Sequence, residues 1–144
     1  MVVNGVYLNG RRYSQGSVVE YLPRVRESNV RVGSSRSFRI GIINMFYVFY
    51  RGDEQITFFS LSDLQIIEPY HSLYIIEKSR YEECRAYIEN RDNSVNRNFS
   101  FVHNSSQHRV FHIDSITSKV HVVPHFNSEK RNDLMCAIRM WYAR

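Results

Sequence analysis

The feature that most constrains the fold is a long apolar run over 38–50, followed at once by a turn and a second apolar run. β-Branched and aromatic residues dominate the first run, and they favour the pleated, half-buried surface of a sheet. Residues 51–54 read Arg-Gly-Asp-Glu, a polar sequence typical of a turn. Residues 55–61 supply the partner strand. The sequence therefore predicts a central β-hairpin.

Shorter strands are predicted on both sides of this hairpin. Asn9-Gly10 lies between two β-like runs and is a strong hairpin signal, because both central residues of a type I′ turn need positive φ. A segment over 81–89 fits either a helix or a strand. Further strands are predicted over 17–22, 63–68, 72–77, 109–113 and 119–123.

The C-terminal stretch changes character. Asn127 or Ser128 can cap a helix, and Leu134, Ile138 and Trp141 follow at helical spacing. Elsewhere alanine, the best helix former, is nearly absent. We therefore predict one mainly β domain over 1–144. A small distorted β-barrel or strongly bent antiparallel sheet forms 1–126, and a C-terminal α-helix forms 127–144.

The order of motifs in the first half resembles a bromo-adjacent homology (BAH) domain. Residues 10–19 read G-R-R-Y-S-Q-G-S-V-V, residues 38–46 read F-R-I-G-I-I-N-M-F, and an aromatic strand ending in Phe58-Phe59 follows. Ser17 stands where that family usually has Asp. The resemblance covers about Val6 to Glu77 and implies a β-barrel that binds a protein partner in a chromatin-associated complex. Residues 112–116 and 120–124 also resemble β-rich regions of transposon-derived eukaryotic proteins.

The excess positive charge lies in the first quarter of the chain. The net charge is +5, and seven arginines between positions 11 and 39 face only Glu20 and Glu27. Guanidinium groups pair with phosphates, and aromatic rings stack on bases, as in binders of single-stranded nucleic acid. Ordinary charge on a solvated loop is the alternative. The candidate anion-binding residues are Arg11, Arg12, Arg24, Arg26, Arg31, Arg36 and Arg39, with Tyr13, Tyr21 and Phe38 as aromatic contacts.

Metal and catalytic chemistry find little support in the residue spacing. His108 and His112 are four apart, as are His121 and His125. On a strand this spacing separates two side chains by about 13 Å, too far for one ion. No glycine loop, paired carboxylates or nucleophile–base pair is evident. We expect neither an enzyme nor a bound cofactor or metal; the alternative is a small enzyme or metal protein in which histidines of both segments meet across strands.

These observations leave three functional hypotheses. The first is a non-catalytic, BAH-like module that binds a protein partner, and the alternatives are a nucleic-acid-binding small β-barrel and an oligomerising structural subunit. No run of eighteen apolar residues and no signal-peptide pattern is present. Cys84 and Cys136 lack metal-ligand spacing and are expected to be reduced, buried thiols. We therefore expect an intracellular protein without a membrane partner, and the resemblance to BAH domains implies a nuclear location.

Overall fold

The computed structural model describes residues 1–23, 38–70, 73–93 and 108–142. They form a strongly curled, antiparallel half-barrel sheet, a small two-stranded sheet and an α-helix. The prediction of a mainly β fold with a strongly bent antiparallel sheet is confirmed.

The described residues form eleven strands and one α-helix. In chain order they are β1 (Val2–Val3), β2 (Gly5–Leu8), β3 (Arg11–Ser14), β4 (Val18–Tyr21), β5 (Arg39–Arg51), β6 (Glu54–Leu64), β7 (Ile66–Tyr70), β8 (Leu73–Glu77), α1 (Lys78–Asn93), β9 (His108–His112), β10 (Ile116–Pro124) and β11 (Leu134–Tyr142). In the large sheet the strand order is β7-β8-β11-β10-β4-β5-β6-β9, with β1 beside the distal part of β5, while β2 and β3 pair separately.

The predicted central hairpin is the pair β5–β6. Its two strands pair from Ile40–Leu64 to Arg51–Glu54. The register shifts between Ile43 and Met45, so Asn44 is an extra residue in β5. Asn44 is fully buried, and its amide nitrogen donates to the Ser62 hydroxyl at 3.1 Å. This bulge bends the hairpin, as bulges do in curled sheets.

The predicted Asn9-Gly10 hairpin is the pair β2–β3. Both turn residues have positive φ, 51° at Asn9 and 76° at Gly10, as a type I′ turn requires. Val6 and Leu8 of β2 pack against one face of the large sheet. The small hairpin therefore acts as a cover for that face.

The curled sheet has a core on each face. One core contains Phe46, Phe59 and Leu61 and lies on the face that the β2–β3 hairpin covers. The other contains Ile40 and Ile42 from the base of β5 together with residues of α1. Side chains alternate between the faces of a strand, so one long apolar strand can supply both cores.

Helix α1 contains residues 81–89, for which the sequence was compatible with either a helix or a strand. Cys84 and Ile88 are four residues apart and buried against the sheet. The exposed side carries ion pairs one turn apart, such as Lys78–Glu82 and Arg85–Glu89. Such pairs add a few tenths of a kcal/mol each, so the buried stripe contributes most of the stability.

The predicted C-terminal helix over 127–144 is wrong, because residues 134–142 form strand β11. One turn does begin at Asn127, whose carbonyl accepts the N–H groups of Lys130 and Arg131, but it does not continue. Strand β11 pairs with β8 on one edge and β10 on the other. Leu134, Cys136 and Ala137 are buried, so the first half of β11 is covered on both faces, whereas Ile138 is 36% exposed. An apolar strand of this kind has the same residue spacing as a helical stripe.

A buried carboxylate connects four strands of the sheet. The Glu20 side chain on β4 is 2% exposed. Its Oε2 accepts hydrogen bonds of 2.8 Å from the Tyr74 hydroxyl on β8 and from Arg139 Nε on β11. Its Oε1 accepts from the Thr117 and Ser118 hydroxyls on β10, at 3.0 and 3.2 Å. Both oxygens of this buried anion therefore accept hydrogen bonds, which offsets the cost of its desolvation.

The guanidinium of Arg139 completes this cluster. Its Nη2 donates to the Tyr74 oxygen at 2.6 Å, and its centre lies 5.4 Å from the Tyr74 ring and 5.8 Å from the Phe38 ring. The hydrogen bond to Glu20 raises the pKa of Arg139, while burial and Glu20 raise that of Tyr74. The cluster therefore consists of one anion, one cation and neutral hydroxyls at neutral pH.

Removing the cation alone should destabilise the fold strongly. Arg139→Met leaves the buried Glu20 carboxylate without its counter-charge, which costs about 3–5 kcal/mol in fully buried pairs and less here, because the Arg139 side chain is 33% exposed. The double variant Glu20→Met/Arg139→Met should lose less than the single variant, because no unpaired charge is left behind. Urea unfolding measures both free energies.

Arg131→Met is the matched control, since Arg131 pairs with Asp133 at 3.5 Å with both side chains more than half exposed. Surface pairs of this kind contribute about 0–1 kcal/mol. An Arg139→Met variant no less stable than Arg131→Met would contradict the structural importance of the buried pair.

Candidate functional site

The predicted arginine-rich site is only partly within the described residues. Arg24, Arg26, Arg31 and Arg36 lie outside them. Arg11 and Arg12 are exposed on β3, but neighbouring residues of a strand project to opposite faces. Lys119 of β10 extends toward this hairpin, where its Nζ donates to the Arg12 carbonyl at 3.2 Å. The part of the predicted site that the structure describes is thus small and divided between two faces.

Two of the three predicted aromatic contacts are corrected by the structure. Tyr13 and Tyr21 have no exposed surface, and both belong to the core beneath the β2–β3 hairpin. Their rings are therefore unavailable for stacking on a ligand, because they fill the interior of the curled sheet. Phe38 is 40% exposed, but its ring lies beside the Arg139 guanidinium of the buried cluster.

Arg39 interacts with a group of polar side chains inside the fold, formed by Tyr21 and Asp63. The Tyr21 hydroxyl donates to Asp63 Oδ1 at 2.5 Å, and the Arg39 guanidinium lies beside the same hydroxyl. Burial, followed by the hydrogen bond to Asp63 and the charge of that carboxylate, raises the pKa of Tyr21 well above its ordinary value of 10.0. The phenol therefore remains a donor that fixes the Asp63 carboxylate in place.

The histidines whose side chains are described do not converge. His112 and His125 each use Nδ1 to accept the backbone N–H two residues later, at 3.0 Å in both cases. His125 is buried, whereas His121 is exposed. No group of three His, Cys, Asp or Glu side chains with the arrangement of a metal site occurs in the described ranges. The imidazoles of His112 and His125 instead accept hydrogen bonds from the backbone at turns.

The two cysteines are buried free thiols, as predicted. Burial raises the pKa of the Cys84 thiol, which lies on the side of α1 that packs against the sheet. Raised pKa values make thiols poor nucleophiles, so Cys84 is a core residue. Within the described parts of the chain, no helix is long and apolar enough to cross a bilayer.

An exposed apolar surface lies on the distal half of the central hairpin. The strand registers align Val2, Tyr47, Phe58 and His112 in one row across β1, β5, β6 and β9. Residues opposite one another on neighbouring strands share a face of the sheet. Phe49 continues the same face toward the hairpin turn. We call this surface, formed by Val2, Tyr47, Phe49, Phe58, Val110 and His112, the aromatic face.

The side chains of the aromatic face contact one another but remain accessible. Phe58 makes edge-on contacts with Phe49, at 5.9 Å between ring centres, and with His112, at 5.5 Å. Val2, Phe49 and Val110 are between 52% and 60% exposed. Nearer the base of the hairpin, the same side of the sheet is covered by α1. The aromatic face therefore continues the side of the sheet that α1 covers, and none of the described elements packs on it.

The sequence contained only part of the signal for this surface. The apolar residues of 45–50 predict a strand that is apolar on both sides. Such a pattern does not indicate which side remains exposed, because that depends on where α1 and the β2–β3 hairpin pack.

No protein-family model, no curated protein and no solved structure matches this chain. The resemblance to BAH domains therefore remains a hypothesis based on the motifs alone. The structure gives three motif residues structural tasks: Gly10 and Gly16 have positive φ, and Tyr13 is in the core.

The burial of Tyr21 and its hydrogen bond to Asp63 predict a loss of stability in alkali. Tyrosine in the unfolded chain titrates near pH 10, whereas folded Tyr21 holds its proton to higher pH. Its contribution is therefore complete below pH 10 and is lost as the pH rises above it, by about 1.4 kcal/mol per pH unit. Tyr21→Phe should be less stable at neutral pH by about 1–3 kcal/mol but should lose less on raising the pH.

Urea unfolding at a series of pH values from neutral to about 11 tests this difference, in the range where tyrosine titrates. The variant should still lose some stability in alkali, because the pKa of Tyr74 is also raised. Tyr50→Phe, at a 63% exposed position, should change the neutral-pH stability by less than about 0.5 kcal/mol. Parallel curves for the wild type and Tyr21→Phe would contradict the assignment.

Proposed function

We propose that this chain is a non-catalytic interaction domain that binds a protein partner through its aromatic face. The observation that supports this proposal is the exposure of Val2, Phe49 and Val110 around a contiguous group of rings. Contiguous apolar surfaces of this kind often mark protein-binding sites. Aromatic side chains are also enriched at the centres of protein interfaces, where they provide much of the binding energy.

The charge around the aromatic face favours a protein over a nucleic acid. At the hairpin turn, Arg51 is accompanied by Asp53 and Glu54, and Asp114 lies 3.4 Å from His112. Nucleic-acid sites need a surplus of cations to neutralise phosphates. The described surroundings of this surface have no such surplus, and two rings predicted to stack on bases are buried. A nucleic-acid-binding function thus has less support than a protein partner.

The wider setting of the interaction is proposed from the sequence. The BAH-like order of motifs supports a partner in a chromatin-associated complex, and therefore a nuclear location. A second copy of the chain is the other protein that could cover the aromatic face, as the oligomerisation hypothesis requires. The mass of the purified protein in solution distinguishes these two occupants.

The decisive experiment uses the aromatic face as the attachment point for a cross-linker. A photoreactive residue at position 49 of the full chain should capture a partner from nuclear extract, which mass spectrometry then identifies. The purified partner should bind the wild type directly. Phe49→Ser/Phe58→Ser should weaken that binding by about thirtyfold or more, since truncating a central aromatic residue costs about 2 kcal/mol.

Tyr7→Ser is the matched control, because Tyr7 is 69% exposed on β2, away from the aromatic face. It should bind the partner with unchanged affinity, and circular dichroism should show native sheet content in all variants. Equal affinity of the wild type and Phe49→Ser/Phe58→Ser would contradict the proposal. If the wild type binds single-stranded oligonucleotides and the same substitutions abolish that binding, the partner is a nucleic acid and not a protein.

A further inference from the structure

A polar cleft lies at the end of the sheet away from the hairpin turn. It has a volume of about 400 Å³ and is formed where β6 ends, between the end of β8, the first turns of α1 and the start of β9. Leu64 and Ile76 line it and are almost completely buried. The volume is within the range of small-molecule sites. None of these residues belongs to the aromatic face, so the cleft is a separate feature.

The cleft carries charges of both signs on different elements. Asp63 of β6 and Glu77 of β8 supply carboxylates, whereas Arg109 of β9 supplies a guanidinium. Arg80 and Glu83, both on α1, pair with each other at 3.6 Å. Neither Glu77 nor Arg109 forms an ion pair with another of the described residues. The cleft therefore offers an anion and a cation that a ligand can engage.

One carboxylate of the cleft is held in a fixed position. Asp63 Oδ1 accepts the hydrogen bond from the buried Tyr21 hydroxyl at 2.5 Å. One oxygen is thus anchored from inside the core, while Asp63 itself lines the cleft. A carboxylate that is already oriented loses little side-chain entropy on binding a cation. This property distinguishes Asp63 from a flexible surface acid.

We propose that this cleft binds a small zwitterionic ligand, either a free amino acid or a short peptide. The ligand's ammonium group would bind the carboxylates of Asp63 and Glu77, and its carboxylate would bind Arg109. Guanidinium groups suit this role because their planar donors match a carboxylate. Leu64 and Ile76 are almost completely buried and leave little apolar surface in the cleft, which favours a ligand with a small side chain.

Chemical-shift mapping of the full chain with alanine and with dialanine tests this site. Both probes carry an ammonium and a carboxylate, and the tighter binder shows whether the ligand is a free amino acid or a peptide. Amide signals of 63–65, 76–83 and 109 should shift. N-acetyl and C-amide forms of the tighter binder should each bind at least about tenfold more weakly, because each lacks one charge-assisted contact.

Glu77→Gln and Arg109→Gln should also weaken binding about tenfold or more. Both residues are exposed, so the variants should keep the native spectrum elsewhere. Arg51→Gln and Glu54→Gln, which change the same residue types at the hairpin turn, should bind like the wild type. The proposal is overturned if neither probe shifts the cleft signals, if a blocked form binds as well as its parent, or if the cleft variants retain wild-type affinity. Loss of partner binding at the aromatic face would not affect these outcomes.

Discussion

The arrangement of the sheet depends most on the hydrogen bonds and the ion pair that the buried Glu20 carboxylate forms. Strand β4 joins the central hairpin to the C-terminal strands, and Glu20 lies at that junction. A carboxylate removed from water is costly unless donors surround it. Arg139, Tyr74 and the β10 hydroxyls satisfy this requirement only when four strands are in register. The polar cluster therefore disfavours alternative registers, which an apolar core would tolerate more readily.

In the part of the chain that the structure describes, the same construction leaves one region of the central hairpin without an element packed on it. Strands β5 and β6 are long, whereas α1 packs against the base of the hairpin on one side. The β2–β3 hairpin covers the opposite side. Tyr47, Phe49 and Phe58 lie beyond the reach of α1 and remain accessible to a partner. The proposed interaction surface is thus a consequence of strand length and of the position of the helix.

Sequence reasoning identified the local elements better than the packing between them. The Asn9-Gly10 turn and the hairpin at Gly52 were predictable because positive φ strongly restricts residue choice. The segment from Leu134 onward was predicted as a helix, because buried apolar residues satisfy helical and strand periods alike. Pairing with β8 and β10 decided the outcome. Tyr13 and Tyr21 were assigned to a binding site for the same reason, since aromatic residues suit both cores and binding sites.

By itself, the sequence determined that this chain forms mainly strands and where its tight hairpins turn. These properties depend on backbone conformation and local composition, which act over a few residues. Only the tertiary structure decided which face of each strand is buried, which donors surround Glu20, and which charges meet beside Asp63. Those contacts join residues far apart in the chain, such as Glu20 and Arg139. Their proximity depends on the sheet order, which no local pattern encodes.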